Sequence, residues 1–326
     1  MQMEDQKLYG FSDGKIKSID VDFFSFLGNN YALYPLAGHL LYEDFDRDSL
    51  KPGPLHTLSS RKKKIRDIGV VASVYVKNGL ALFLDEHIRR LIENARASSV
   101  TISMNDPGIR IAIRSMDVAR RNSGIEHAIN IMLFNDSFIG KNKSLDERCC
   151  ISSYLIKSPK DNLIGVGAVS YRGFKRKQTT NLHLNLAERM FLLEAFEYAD
   201  SRDPYEAIII DNKGNCAGCV NSSIFCVYEN NLCIPREVIA GDIIKERIIK
   251  TAREIGIRIA IGEISYPGLL RAEEVFTANS TNHIVPITSI DGRAIGNGRV
   301  GRITKNIARE MAILDDDYVR FYKRLC

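Results

Sequence analysis

Four cysteines fall within a short span of this chain. Cys216 and Cys219 make a C-x-x-C pair, and Cys226 and Cys233 follow. A zinc site prefers two close pairs, and the second spacing is too long for a typical knuckle. The pair also sits in an apolar hairpin pattern, not at the helix start a thioredoxin-like motif needs. Buried free thiols are therefore expected, with no metal. The six histidines do not cluster along the sequence. Two basic groups stand out. One is Arg61, Lys62, Lys63, Lys64 and Arg66; the other is Arg172, Lys175, Arg176 and Lys177. The first carries no interleaved aromatic residues and no recognised nucleic-acid motif, so solvated loops are expected and no nucleic-acid partner. A polar segment, Thr277 to Asn282, lies between two apolar runs and reads as a turn at a strand end.

The elements that must position these groups are readable in places. GVVASVYV and LALFL flank Asn78-Gly79, the strongest short hairpin signal. Asp85 then opens a helix whose apolar residues Ile88, Leu91, Ile92 and Ala95 recur at helical spacing. A second helix is expected over Pro107–Asn122, and strands over His127–Phe134, Cys149–Ile156 and Ile164–Tyr171. The basic loop 172–180 leads into a long helix from Asn181. The run from Tyr205 to Pro235 reads as two apolar stretches around a polar turn. Helices are expected after Gly241-Asp242 and after Arg302. The first 60 residues mix aromatics with turn residues and give no clear reading.

Bulk properties set limits. A chain of 326 residues with 45% hydrophobic and 26% charged residues can bury the cores of two ordinary domains. The net charge of +5 is mild and dispersed. The N-terminal residues contain no signal-peptide apolar region, and no apolar run is long enough to span a bilayer. No membrane partner and a cytoplasmic location are expected. Seven cysteines, an odd number in a long chain, fit a reducing compartment.

Three blocks carry a family resemblance. GVVASVYVKNGLALFLDEHIRRL resembles a hairpin followed by an E-H-x-x-R-L helix. YEAIIIDNKGNCAGCVNSSIFCVYENNLCIP is similar to E-A-(apolar)-D-x-x-G…N-(apolar)-F. EEVFTANSTNHIVPITSIDGRAIGNGRVGRIT is similar to D-E-(apolar)-(apolar)…P-V…I-D-G…G-x-G…G-x-x-T. In this order and spacing they resemble the class IV aminotransferases of pyridoxal-phosphate fold type IV. That family includes branched-chain and D-amino-acid aminotransferases and aminodeoxychorismate lyase. The resemblance implies an α/β (α+β) chain of two domains with the cofactor in the cleft between them. The domains would be 1–157 and 164–326, joined by a linker at 158–163. It also implies a homodimer.

The same resemblance assigns residues. Arg90, in Glu86-His87-Ile88-Arg89-Arg90, would bind the cofactor phosphate; a guanidinium can do so with two parallel charge-assisted bonds. Ile243 and Ile244 would lie at a helix start that faces the phosphate, and Asn279 and Ser280 would donate to it from a second loop. The Schiff-base lysine is expected at Lys177, with the neighbouring cations Lys175 and Arg176 lowering its pKa. Lys175 is an alternative. A third option is that the lysine is absent, with Gln178 or Thr180 in its place. Two positions depart from the family pattern. Gly218 stands where a glutamate usually pairs with the pyridine nitrogen. Asp242 stands at the phosphate helix start, where a carboxylate would repel a dianion. His87 is expected to pack against the hairpin.

The activity implied is amino transfer between an amino acid and a 2-oxo acid, or a related amino-chorismate lyase reaction. The departures motivate a second reading: a non-catalytic relative with a degraded cofactor site that binds a small metabolite or a protein partner.

Overall fold

The computed structural model describes residues 8–12, 15–19, 69–97, 107–123, 126–134, 149–156, 163–174, 192, 194–195, 198–199, 205–220, 222–236 and 243–325. The basic run 61–66, residues 158–162 of the expected linker at 158–163 and the loop Lys175 to Asn181 lie outside these residues, as does Asp242.

The first sheet is antiparallel. Its strands are β1 (Leu8–Ser12), β2 (Lys15–Ile19), β3 (Gly69–Lys77), β4 (Leu80–Ala81), β5 (His127–Phe134) and β6 (Cys149–Leu155). They lie in the order β2-β1-β6-β5-β3-β4. The expected hairpin is present, with Asn78 at φ 54° and Gly79 at φ 75°. Two positive φ values in a two-residue loop match the right-handed twist of the flanking strands. β1 and β2 add strands where the sequence reading found none.

Helices α1 (Leu84–Ala97) and α2 (Pro107–Arg121) cover one face of this sheet. Every second residue of β3, Val74 and Val76, and of β5, Ile129 and Ile131, enters a core with Leu91 of α1 and Ile111 and Val118 of α2. The apolar periodicity of α1 thus becomes its buried stripe, while Arg89 and Glu93 stay exposed.

The second sheet takes its strands from residues 166–294. They are β7 (Val166–Phe174), β8 (Glu206–Asp211), β9 (Cys216–Cys219), β10 (Ser223–Tyr228), β11 (Asn231–Pro235), β12 (Ile259–Gly262), β13 (Glu274–Asn279), β14 (His283–Ile290) and β15 (Arg293–Ala294). The order is β12-β11-β10-β13-β14-β7-β8-β9, with β15 on β14. The run from Tyr205 to Pro235 therefore holds four strands in two hairpins, not two strands about one turn. The second hairpin turns at Glu229 (φ 46°) and Asn230 (φ 61°). The sheet curls until the Cys216 N–H donates to the Ile264 carbonyl at 2.7 Å.

Both faces of β8, β9, β10 and β13 are buried, which is why these strands read as continuous apolar runs. Inside the curl lie Ile208, Ile210, Ile224, Cys226, Val275 and Ile287, closed by the short helix α4 (Tyr266–Leu269). Outside lie Phe225 and Phe276, stacked at 4.8 Å, against α3 (Ile243–Glu254) and α5 (Arg302–Leu325). Of the long helix expected from Asn181, Leu192, Glu194, Ala195, Tyr198 and Ala199 are described, and all are helical.

The two sheets meet through side chains. Tyr75 and Leu82 from the β3–β4 hairpin pack on Val319 of α5, Phe83 packs on Tyr318 at 4.3 Å between rings, and Lys77 Nζ lies 2.6 Å from Asp316 Oδ1.

Candidate active site

Three candidate residues converge where α1, α3 and the β13–β14 turn meet. Ile243 and Ile244 are the first residues of α3, and Ser280 follows β13; all three are buried and line one pocket. The isoleucine side chains offer no polar atom, so the polar contribution of this helix end is its backbone. Tyr75 and Leu82 from the first sheet and His87 from α1 close the pocket's far side. His87 is buried, as its place in the motif implies.

Arg90 does not line that pocket. A quarter of its side chain is exposed, and its Nη1 lies 3.0 Å from Oε1 of Glu246, in the first turn of α3. The guanidinium thus reaches the right helix but meets a carboxylate there. Lys245 is alongside; burial lowers its pKa, Glu246 opposes that shift, and Arg90 adds to it.

Asn279 has a structural engagement at each end. Its Oδ1 accepts from the backbone N–H of Thr281 (3.1 Å) and of Asn282 (2.7 Å) and from the Thr281 hydroxyl (3.0 Å). Its Nδ2 donates to Ser222 Oγ at 3.3 Å, and that hydroxyl donates to Glu206 Oε2 at 2.8 Å. Asn282 Nδ2 donates to Tyr205 Oη at 2.9 Å. The turn that presents Ser280 is therefore tied to the start of β8 through a buried polar chain.

Gly218 lies on β9 opposite Ile209, with φ 134°. The register shifts beside it, between Ile209 and Ile210. An L side chain rarely adopts that φ, so the local backbone itself favours glycine. Lys177, Lys175, Gln178 and Thr180 lie outside the described residues; β7 is described up to Phe174.

The floor of the pocket is charged, which sequence reasoning missed. Arg247 lies 3.7 Å from Asp315 Oδ1, and His283 Nδ1 lies 3.2 Å from Asp315 Oδ2. Arg247 also stacks on the Phe83 ring, and His283 meets Tyr75 edge-on at 4.8 Å. Burial pushes the Asp315 carboxyl up to about 7, against the lowering effect of Arg247 and Lys77. Burial, then Arg247 and Lys77, push His283 down to about 3. His87 and His283, separated by nearly two hundred residues, line the same pocket; no local pattern signals that.

The six described cysteines are buried or half-buried thiols. Cys216 and Cys219 bound the short strand β9, and burial raises the pKa of both. Among the described residues no group of three or more His, Cys, Asp or Glu side chains is arranged to hold a metal ion. No helix among the described residues is long and apolar enough to cross a membrane.

Comparison with known proteins gives a consistent result. The model of the amino-transferase class IV family matches residues 69–290. Over 246 residues the chain is 24% identical to the D-alanine aminotransferase of Bacillus licheniformis, covering 73% of this chain and 84% of that protein. Over 105 residues it is 33% identical to the branched-chain-amino-acid aminotransferase of Escherichia coli K12, covering 31% and 34% of the two chains. The fold matches the crystal structure of an Escherichia coli branched-chain amino acid aminotransferase with a TM-score of 0.70, at 20% identity and 95% coverage of both chains. It matches the PLP form of the branched-chain amino acid aminotransferase from Thermobaculum terrenum with a TM-score of 0.66 at 19% identity, covering 78% and 86% of the two chains. All four relatives are aminotransferases by name. The reading as a non-catalytic binding protein gains no support from them.

Proposed function

Because this chain belongs to the class IV aminotransferases, a family of enzymes, we propose that it transfers an amino group between an amino acid and a 2-oxo acid with pyridoxal phosphate. The observation that carries the reading is a helix start and a hydroxyl lining one pocket, the first turn of α3 and Ser280, with a cation, Arg90 on α1, reaching the same turn through Glu246. This donor set fits a phosphate dianion, which prefers backbone N–H groups at a helix N-terminus and a guanidinium. At the ring end the fit is incomplete, because Gly218 provides no carboxylate.

When bound, pyridoxal phosphate supplies a ring that accepts the electron pair released at the substrate's α-carbon. The residues of this chain would divide the remaining work. Arg90, the backbone at Ile243 and Ile244, and Ser280 would hold the phosphate. Asn279 would hold Ser280 in place by fixing the turn. Lys177 would carry the cofactor's carbonyl carbon on its amine, with Lys175 as the alternative. A lysine in that role must be neutral for part of the time, and neighbouring cations favour this.

Amino transfer is preferred to the lyase reaction because the named relatives catalyse amino transfer by name. A homodimer belongs to the same proposal and is supported by the resemblance alone; a cytoplasmic location is supported by the cysteine usage. The test uses purified full-length protein with added pyridoxal phosphate. A visible absorption band that changes when D-alanine or a branched-chain amino acid is added supports the reading. Borohydride fixation followed by peptide mapping then locates the lysine. Protein that takes up no cofactor and transfers no amino group overturns the reading.

A further inference from the structure

The cation that reaches the first turn of α3 from α1 is already held by a carboxylate of its own chain. Arg90 Nη1 lies 3.0 Å from Glu246 Oε1. The two partners differ in exposure: 25% of the Arg90 side chain is accessible against 72% for Glu246. The guanidinium is thus largely withdrawn from water, whereas the carboxylate is free to return to it. Glu246 also belongs to the first turn of α3, the turn that begins with Ile243 and Ile244. Lys245 stands beside both charges and responds to each of them.

These positions set up a competition. A partly buried cation without an anion is unfavourable, so Glu246 stabilises the site when no phosphate is present. A dianion arriving at Arg90 needs the same N–H donors and is repelled by the carboxylate. The exposed partner is the one that can leave, because water solvates it after it swings away. We propose that Glu246 is an internal competitor for Arg90 and thereby sets how tightly this chain holds a phosphate-bearing ligand. Naming that ligand as pyridoxal phosphate rests on the function proposed above; the competition for Arg90 does not.

The experiment uses the full-length protein and three probes: inorganic phosphate, pyridoxal phosphate, and pyridoxal, which lacks the phosphate. Dissociation constants are measured by calorimetric titration for the wild type, E246Q, E254Q and the pair R90Q and R90Q/E246Q. Glu254 ends the same helix, so E254Q makes the same change in net charge away from Arg90. E246Q is expected to tighten phosphate and pyridoxal phosphate about two- to fivefold, the scale of a partly exposed ion pair. It should leave pyridoxal unchanged. E254Q should tighten neither phosphate ligand, and R90Q should abolish the effect of E246Q.

The proposal is overturned if E246Q does not tighten phosphate, if E254Q tightens it equally, or if phosphate binds to neither the wild type nor E246Q. Tighter phosphate in E246Q with no uptake of pyridoxal phosphate by either protein sustains the competition and refutes the cofactor reading. Equal uptake of pyridoxal phosphate by both proteins, with phosphate affinity unaltered, does the reverse.

Discussion

His283 Nδ1 lies 3.2 Å from Asp315 Oδ2, which ties the start of β14 to the last helix on the floor of the candidate pocket. Lys77 and Arg247 add positive charge from the first sheet and from α3, and Asp316 adds negative charge from α5. The pair thus sits where both sheets and both outer helices meet.

This contact has opposite consequences for its two partners as pH changes. Between about 3.8 and 7 the folded chain keeps a proton on Asp315 that the unfolded chain has released, so this group makes stability fall as pH rises. Between about 3 and 6.5 the unfolded chain protonates His283 and the folded chain does not, so this group makes stability rise with pH. D315N therefore gains stability relative to wild type as pH rises through the first window. H283Q loses stability relative to wild type through the second. Urea unfolding at a series of pH values checks both signs, and three parallel curves would refute the assignment.

Glu274 closes the start of α5 from a neighbouring strand. Its oxygens accept from the N–H groups of Ile303 (3.0 Å) and Thr304 (2.7 Å) and from the Thr304 hydroxyl (2.7 Å). A Cβ on Gly301 would run into the same side chain. E274A should cost about 1–2 kcal/mol, the scale of losing a helix cap. G301A should destabilise by displacing Glu274. In the E274A background the three nearest atoms that the added methyl would strike are gone, so the double variant is less destabilised than the sum of the singles. Additive losses in urea unfolding would show that the two residues act separately.

Gly218 is held at φ 134° beside a register shift in β9. Restoring a glutamate there does more than add a carboxylate, because it forces an L side chain into a backbone region that glycine tolerates. G218A and G218E should each lower stability by about 1 kcal/mol or more. Thermal unfolding of the two variants measures this. A G218E variant as stable as the wild type would mean that the backbone does not enforce glycine.

Asn279 supports the turn that carries Ser280 with both ends of its amide. N279A removes acceptors from two buried N–H groups and should cost about 1–3 kcal/mol. N279D keeps the acceptor but places a second carboxylate on Ser222, whose hydroxyl already serves Glu206. N279D should thus be destabilised as well, and E206Q in that background should recover part of the loss. Failure of E206Q to recover any stability in denaturant unfolding would separate Glu206 from this turn.

Much of the architecture could be read in advance where one signal was enough. Asn78-Gly79 specified its hairpin because two positive φ values are needed there. The spacing of Ile88, Leu91 and Ala95 specified the buried stripe of α1. Asp13-Gly14 carries the same kind of turn signal between β1 and β2, but the residues around it mix aromatics with turn formers and show no sustained alternation. The four strands of Tyr205–Pro235 are not separable by pattern because burial on both faces removes the alternation that marks strand limits.

The sequence by itself determined the family and the local elements, since motifs, turns and helix faces depend on residues close together in the chain. It also identified Arg90, Ser280 and Gly218 as positions to watch. Only the tertiary structure decided what those positions meet. It set Glu246 against Arg90, turned Asn279 toward Ser222 and its own turn, and assembled Lys77, Arg247, His283 and Asp315 into one buried group. The reason is physical: charge pairing and burial depend on distances across folded elements, and residues up to 239 positions apart come within hydrogen-bonding reach only once both sheets have closed on α5.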